Sequence, residues 1–374
     1  MKTYTCVCGQ LLFFQNVSCV NCHRDLGFLP DVRWLSSLDP VNNGLWRPTA
    51  EQAGGRLYRK CRDYTEEGVC NWMIPQEESG ETFCASCRLN EMIPDLSKQP
   101  NRDLWARIEN AKRRLVYSLI SLKLPIAGKK ADPQRGLAFR FLSDVIQPDG
   151  STSHVMTGHE QGVITVNIAE ADDGTREKIR TAMKEPYRTL LGHLRHESGH
   201  YYWDRLVRGT KFLEPFRALF GDEQSDYLQA LKRHYDSGAP SNWQDRFISA
   251  YATAHPWEDW AESWAHFLHI QDTLEVANDF GLAGKRILKD PQDKSGKSWL
   301  SSKQTTFEEM IRSWSELAVA LNSINRSMGF SDLYPFILCP PVVAKLQFVH
   351  EVIMASQAPR ERENISSVAS SPGN

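Results

Sequence analysis

The pentad His196-Glu197-Ser198-Gly199-His200 is the densest concentration of chemistry in this 374-residue chain. Imidazoles at i and i+4 leave one face of a helix, where a single Zn²⁺ can accept a nitrogen from each. Glu197, next to the metal, is placed to take a proton from an attacking water. Five residues alone are a moderate signal, because a metal site needs further ligands. Eight of the nine cysteines supply a second signal: Cys6, Cys8, Cys19 and Cys22 read C-x-C-x10-C-x2-C, and Cys61, Cys70, Cys84 and Cys87 read C-x8-C-x13-C-x2-C. Short paired spacings let two turns each present two thiolates to one tetrahedral ion, as in structural zinc sites. Gly9, directly after Cys8, gives the first turn its freedom to bend. A disulfide framework and an iron centre compete for the same thiolates, and spacing alone leaves open how the half-sites pair. Cys339 stands apart in an apolar context and reads as a small buried hydrophobe.

These groups must be held by ordered elements. Leu190, Leu191 and Leu194 precede the pentad in a helical pattern from about Glu185 to Val207. From Arg102 to about Leu122, Leu104, Ile108, Ala111, Leu115, Leu119 and Leu122 recur at helical spacing. Strand-like runs at Leu137–Val145 and Gly162–Ala171 flank a turn-rich segment around Gly150 and Gly158. From Thr175 to the 320s the pattern is mainly helical. Residues 88–101 carry Pro94 and Pro100 and read as a linker, and the tail after about Gln357 reads as disordered.

Composition excludes several classes. A formal net charge of −2, with 41% hydrophobic and 24% charged residues, fits a globular chain with a sizeable core and gives no reason to expect nucleic acid as a partner. The Arg102–Arg135 stretch is locally basic, nine Lys or Arg against three acids, and reads as a solvated helix face. No run approaches the ~20 apolar residues of a membrane span. The start of the chain does not read as a cleaved signal peptide, so a cytoplasmic location without membrane partner is expected.

The segment His255-Pro-Trp-Glu-Asp-Trp-Ala-Glu-Ser-Trp-Ala-His266 contains an E-x-x-A-[DEN] pattern that resembles the second zinc-binding helix of the gluzincin metallopeptidases. That resemblance implies Glu258 as third zinc ligand, with Asp259 and Glu262 as rival choices, and Glu262 as partner of a ligand histidine. Trp257, Trp260, Trp264 and Phe267 make this helix half-buried, where acids need a cationic or metal partner. Tyr251 lies at the offset where some gluzincins similar to anthrax lethal factor place an oxyanion-stabilising tyrosine; His255 and His234 are the runners-up. His193, His266 and His269 read as structural. The run Gly162–Asn167 resembles the zincin edge strand that pairs with extended substrate.

More broadly, the chain resembles a bacterial family of zinc-binding metallopeptidases with an N-terminal zinc ribbon. The residues that carry this are the cysteine sets, "GVITVNIAEADD" (162–173), "LRHESGHYYWDRLV" (194–207), the segment 255–270 and the stretch 321–353. The resemblance implies an α+β fold: a mainly helical zincin domain with a small antiparallel sheet over 102–356, a zinc-ribbon-like region with two four-cysteine sets over 1–90, a linker at 91–101 and a disordered tail at 357–374. It implies one catalytic Zn²⁺, one or two structural Zn²⁺, and hydrolysis of peptide or protein substrates with Glu197 as general base. A ribbon contact with a protein partner is compatible with the same reading, and a non-enzymatic adaptor is the rival function.

Overall fold

The computed structural model describes residues 2–147, 149, 151–183, 189–282 and 306–357. The disordered tail expected after Gln357 and the helix start expected near Glu185 both lie outside the described residues.

The cysteine-rich region is built on a meander. Strands Leu26–Leu29, Trp34–Pro40, Leu45–Pro48, Tyr58–Lys60 and Met73–Pro75 follow one another across a five-stranded sheet, each antiparallel to the last. A short hairpin, Tyr4–Thr5 with Leu11–Leu12, carries the first cysteines.

The stretch that reads as a linker contributes structure: Asn90–Met92 is a strand. It pairs parallel with Ala138–Leu142, which pairs parallel with Val163–Asn167; Gly158–Glu160 closes the sheet as an antiparallel edge. The fold class is α+β as expected, but this sheet is mixed rather than antiparallel. The reason is topological: parallel neighbours need a crossover, and the helix Asn101–Ser121 supplies one between the first two strands. The order also moves the edge. Val163–Asn167 is internal, so Gly158–Glu160 holds the exposed rim expected of residues 162–167.

Helices complete the molecule. Leu190–Leu206 carries the pentad and packs most extensively on Pro256–Asp279, and also on Asn101–Ser121. Leu213–Phe220, Tyr227–Ser237, Phe307–Ser327 and Pro340–Gln357 surround this pair. One continuous apolar core runs from Phe14, Phe28 and Trp72 through Trp105 and Tyr117 to Trp260 and Trp264, so the cysteine-rich region and the helices share an interior.

Candidate metal centres and active site

Local sequence explains how the two central helices meet. Thr189 caps the motif helix by accepting the Gly192 N–H at 3.0 Å. The long helix opens with Pro256 at its first turn, and His255 Nδ1 accepts the Trp257 N–H at 3.1 Å. The helices cross at Gly199, where a Cβ would lie 2.9 Å from Ala261 Cα and 3.2 Å from Trp264 Cβ. Only glycine permits that approach. Trp260 Nε1 donates to the Gly199 carbonyl at 2.8 Å and Trp264 Nε1 to Ser198 Oγ at 3.1 Å. Ser198 and Gly199 therefore dock one helix on the other, and the same helix turns His196, Glu197 and His200 to the site.

That docking brings His196, His200 and Glu258 together. His196 Nε2 lies 3.0 Å from Glu258 Oε2, His200 Nε2 lies 3.5 Å from the same oxygen, and the two nitrogens are 3.2 Å apart. Ligands about 2.0–2.1 Å from a tetrahedral ion stand about 3.3 Å from each other, so the donor set fits Zn²⁺. All three side chains are buried. The three acids in the first two turns of the second helix divide cleanly. Glu258 faces the imidazoles; Glu262 Oε1 accepts from His196 Nδ1 at 2.7 Å; Asp259 pairs with the buried Lys345 at 2.5 Å. Burial drives the Asp259 pKa up to about 7 despite that lysine.

Glu197 is gripped from its own helix. His193 Nε2 lies 3.2 Å from Glu197 Oε1, and His193 Nδ1 lies 2.7 Å from Glu170 Oε2. Burial by itself lowers the His193 pKa, but Glu170 and then Glu197 outweigh it and push it up to about 9. Burial likewise disfavours the Glu197 carboxylate, yet His193 and the neighbouring imidazoles hold its pKa below the ordinary range. A protonated imidazole between two carboxylates donates through both nitrogens and so fixes the Glu197 side chain in place.

Other predicted residues sort by place. The Tyr251 ring lies 5.9 Å from that of His196 and 5.7 Å from that of His234. His255 accepts the Trp257 N–H at the helix cap and bonds Ser225 Oγ at 2.9 Å. His266 bonds Tyr334 at 2.8 Å and His269 packs on Trp314 and Tyr334. His193 instead touches Glu197, a contact its i−4 offset signals on a helix. Tyr227, whose hydroxyl donates to Glu258 Oε1 at 2.7 Å, has no such signal, since it comes from a separate helix 31 residues away. His159, on the edge strand, stacks near His200 at 6.4 Å, and Trp257 covers His200 at 4.3 Å.

The eight N-terminal cysteines gather as two separate sets, Cys6–Cys8–Cys19–Cys22 and Cys61–Cys70–Cys84–Cys87. Sulfur separations are 3.6 Å for Cys6–Cys22 and Cys8–Cys19, 3.8 Å for Cys70–Cys84 and 3.6 Å for Cys70–Cys87. A disulfide needs about 2.05 Å; thiolates about 2.3 Å from a tetrahedral Zn²⁺ stand about 3.8 Å apart. The half-sites thus pair within each set. Part of the basic stretch is also not solvated: Lys112 and Arg113 are buried beside the second set, where Lys112 Nζ meets Glu109 at 2.7 Å. Cys339 is only partly buried, its Sγ 3.3 Å from the Asp245 carbonyl.

Paired helices presenting a His-His-Glu donor set, together with two sets of four cysteines, mark a zinc-binding protein. The chain belongs to the family described as "Putative zinc-binding metallo-peptidase", whose profile matches residues 101–352, and residues 3–98 match a zinc-ribbon domain. It is 43% identical over 356 residues to uncharacterized proteins of Mycobacterium tuberculosis and Mycobacterium bovis, covering 94% of this chain and 95% of theirs. No solved structure matches it significantly. No helix among the described residues is long and apolar enough to cross a membrane.

Proposed function

We propose that this chain is a zinc-dependent peptidase that hydrolyses peptide bonds at the His196–His200–Glu258 centre. The observation that carries this reading is the convergence of two imidazole nitrogens, from the helix that also presents Glu197, with one carboxylate oxygen from the facing helix, at 3.0–3.5 Å. Zn²⁺ held by these three residues would supply Lewis acidity, lowering the pKa of water and polarising the scissile carbonyl. Glu197 accepts the proton of the attacking water and later delivers it to the leaving amine. His193, itself fixed by Glu170, keeps the Glu197 carboxylate ionised and aimed. Tyr251, whose ring lies 5.9 Å from that of His196, is the donor to the developing oxyanion in this reading. The edge strand Gly158–Glu160 offers its backbone to an extended peptide. The cysteine sets hold one structural Zn²⁺ each, and a chain keeping eight thiolates on metal suits the reducing cytoplasm.

The test exposes a proteome-derived peptide library to wild type and to Glu197→Gln, then reads new termini by mass spectrometry. New termini with wild type alone are expected. Equal termini, or none, with both proteins metal-loaded would overturn the peptidase reading and favour an adaptor.

A further inference from the structure

Glu258 uses its two oxygens differently. Oε2 points toward His196 Nε2 and His200 Nε2 and accepts no hydrogen bond from protein. Oε1 accepts the Tyr227 phenol at 2.7 Å. The carboxylate is 1% exposed, so water cannot substitute for that donor from outside. A buried carboxylate oxygen without partner marks the side where a cation belongs; the partnered oxygen marks the side turned away.

Tyr227 is itself held in place. It is the first residue of the helix Tyr227–Ser237, capped by Asp226, whose carboxylate accepts the Gln229 N–H at 2.9 Å. Its ring packs edge-on against His255 at 5.2 Å and Trp257 at 6.0 Å. His255 is the cap of the helix carrying Glu258, and Trp257 precedes Glu258 directly. The phenol and the carboxylate are therefore fixed relative to one another by the same short stretch of chain. The other ligands are oriented differently: His196 through Glu262, and His200 by ring contacts with Trp257 and His159.

We infer that Tyr227 is a positioning residue that makes Glu258 a one-oxygen ligand, so that the His196–His200–Glu258 set leaves a coordination position open for water or substrate. The inference rests on the metal reading of this centre. A carboxylate can bind zinc through one oxygen or both, and a catalytic site keeps three protein ligands plus one open position. A phenol donating to Oε1 occupies that oxygen and holds it away. Without the hydroxyl, Oε1 is left buried and unpaired, and the metal is the cationic partner it can turn to.

The test needs no substrate. Zinc is kept in the cysteine sets, the His-His-Glu centre is exchanged to Co²⁺, and the visible spectrum is taken as a difference against Glu258→Ala. Tyr227→Phe preserves the ring packing. Its expected spectrum has clearly weaker ligand-field bands, the sign of a higher coordination number, with cobalt content unchanged. If the protein cleaves peptides, turnover falls at least tenfold with KM held. A Tyr227→Phe spectrum identical to wild type, with Glu258→Ala having lost its cobalt, overturns the role of Tyr227 alone. Cobalt retained in Glu258→Ala removes the metal reading itself and the inference with it.

Discussion

The two cysteine centres have the same ligands and opposite surroundings. In the first, Cys8 is exposed and Cys22 partly so, and Val7 and Val20 beside them are open to solvent at 59% and 75%. In the second, all four sulfurs are buried, and the Asn101–Ser121 helix brings Glu109, Lys112 and Arg113 against them, with Cys87 Sγ 4.0 Å from Glu109. Four thiolates and one Zn²⁺ carry net negative charge. In water that charge is solvated; in an interior it needs a fixed counter-charge. The first centre is open to solvent, with Arg24 beside Cys22 and Asn21 donating to Cys8, while the second draws buried cations from a helix that also packs on the motif helix. One is an attachment of the N-terminal hairpin, the other a joint between the two halves of the molecule.

The largest expected effect separates them directly. Cys84→Ser should cost on the order of 5 kcal/mol and unfold both halves together, because it strands buried charge and removes a metal. Cys8→Ser should loosen only the hairpin and leave the main thermal transition within a few degrees of wild type. Calorimetry of both variants checks this, and equal losses would erase the distinction. Lys112→Met comes next, at about 3–5 kcal/mol, since it leaves Glu109 buried without its nearest cation; denaturant midpoints measure it, and a neutral result would mean the cations are dispensable to the second centre.

Acid sharpens the contrast between the cysteine half and the helical half. Burial lowers the His266 pKa to about 4, below its ordinary value near 6.5. The unfolded chain therefore binds the extra proton first, and stability falls as pH drops from about 6.5 toward 4, by up to about 3 kcal/mol. His266→Gln should flatten that decline relative to wild type in urea titrations at pH 7.5 and pH 5; parallel curves would exclude it. Smallest is Gly199→Ala, at about 1–3 kcal/mol from forcing Ala261 away. Its signature is selective: the His-His-Glu metal is lost on mild chelation while both cysteine centres keep theirs.

How much of this was legible depended on whether the partners shared an element. The pentad, its helix and the acid pattern of 255–266 announce themselves because i, i+3 and i+4 spacing fixes what shares a face. The same rule contains His193, whose structural reading missed that i−4 places it on Glu197. Tyr227 and Glu170 stay invisible, because they reach the centre from other elements and only tertiary packing brings them in. The strand at 90–92 hid inside a proline-marked linker for the same reason: its pairing partner lies some fifty residues away. Lys112 and Arg113 read as solvated, since composition cannot tell a cation facing water from one facing buried thiolates.

The most direct test of the account is the zinc content per chain of native protein, wild type against Glu258→Ala, by elemental mass spectrometry. Three zinc ions falling to two, with the fold intact, is the predicted result. Two in wild type, or no change in the variant, would contradict a metal centre formed by His196, His200 and Glu258.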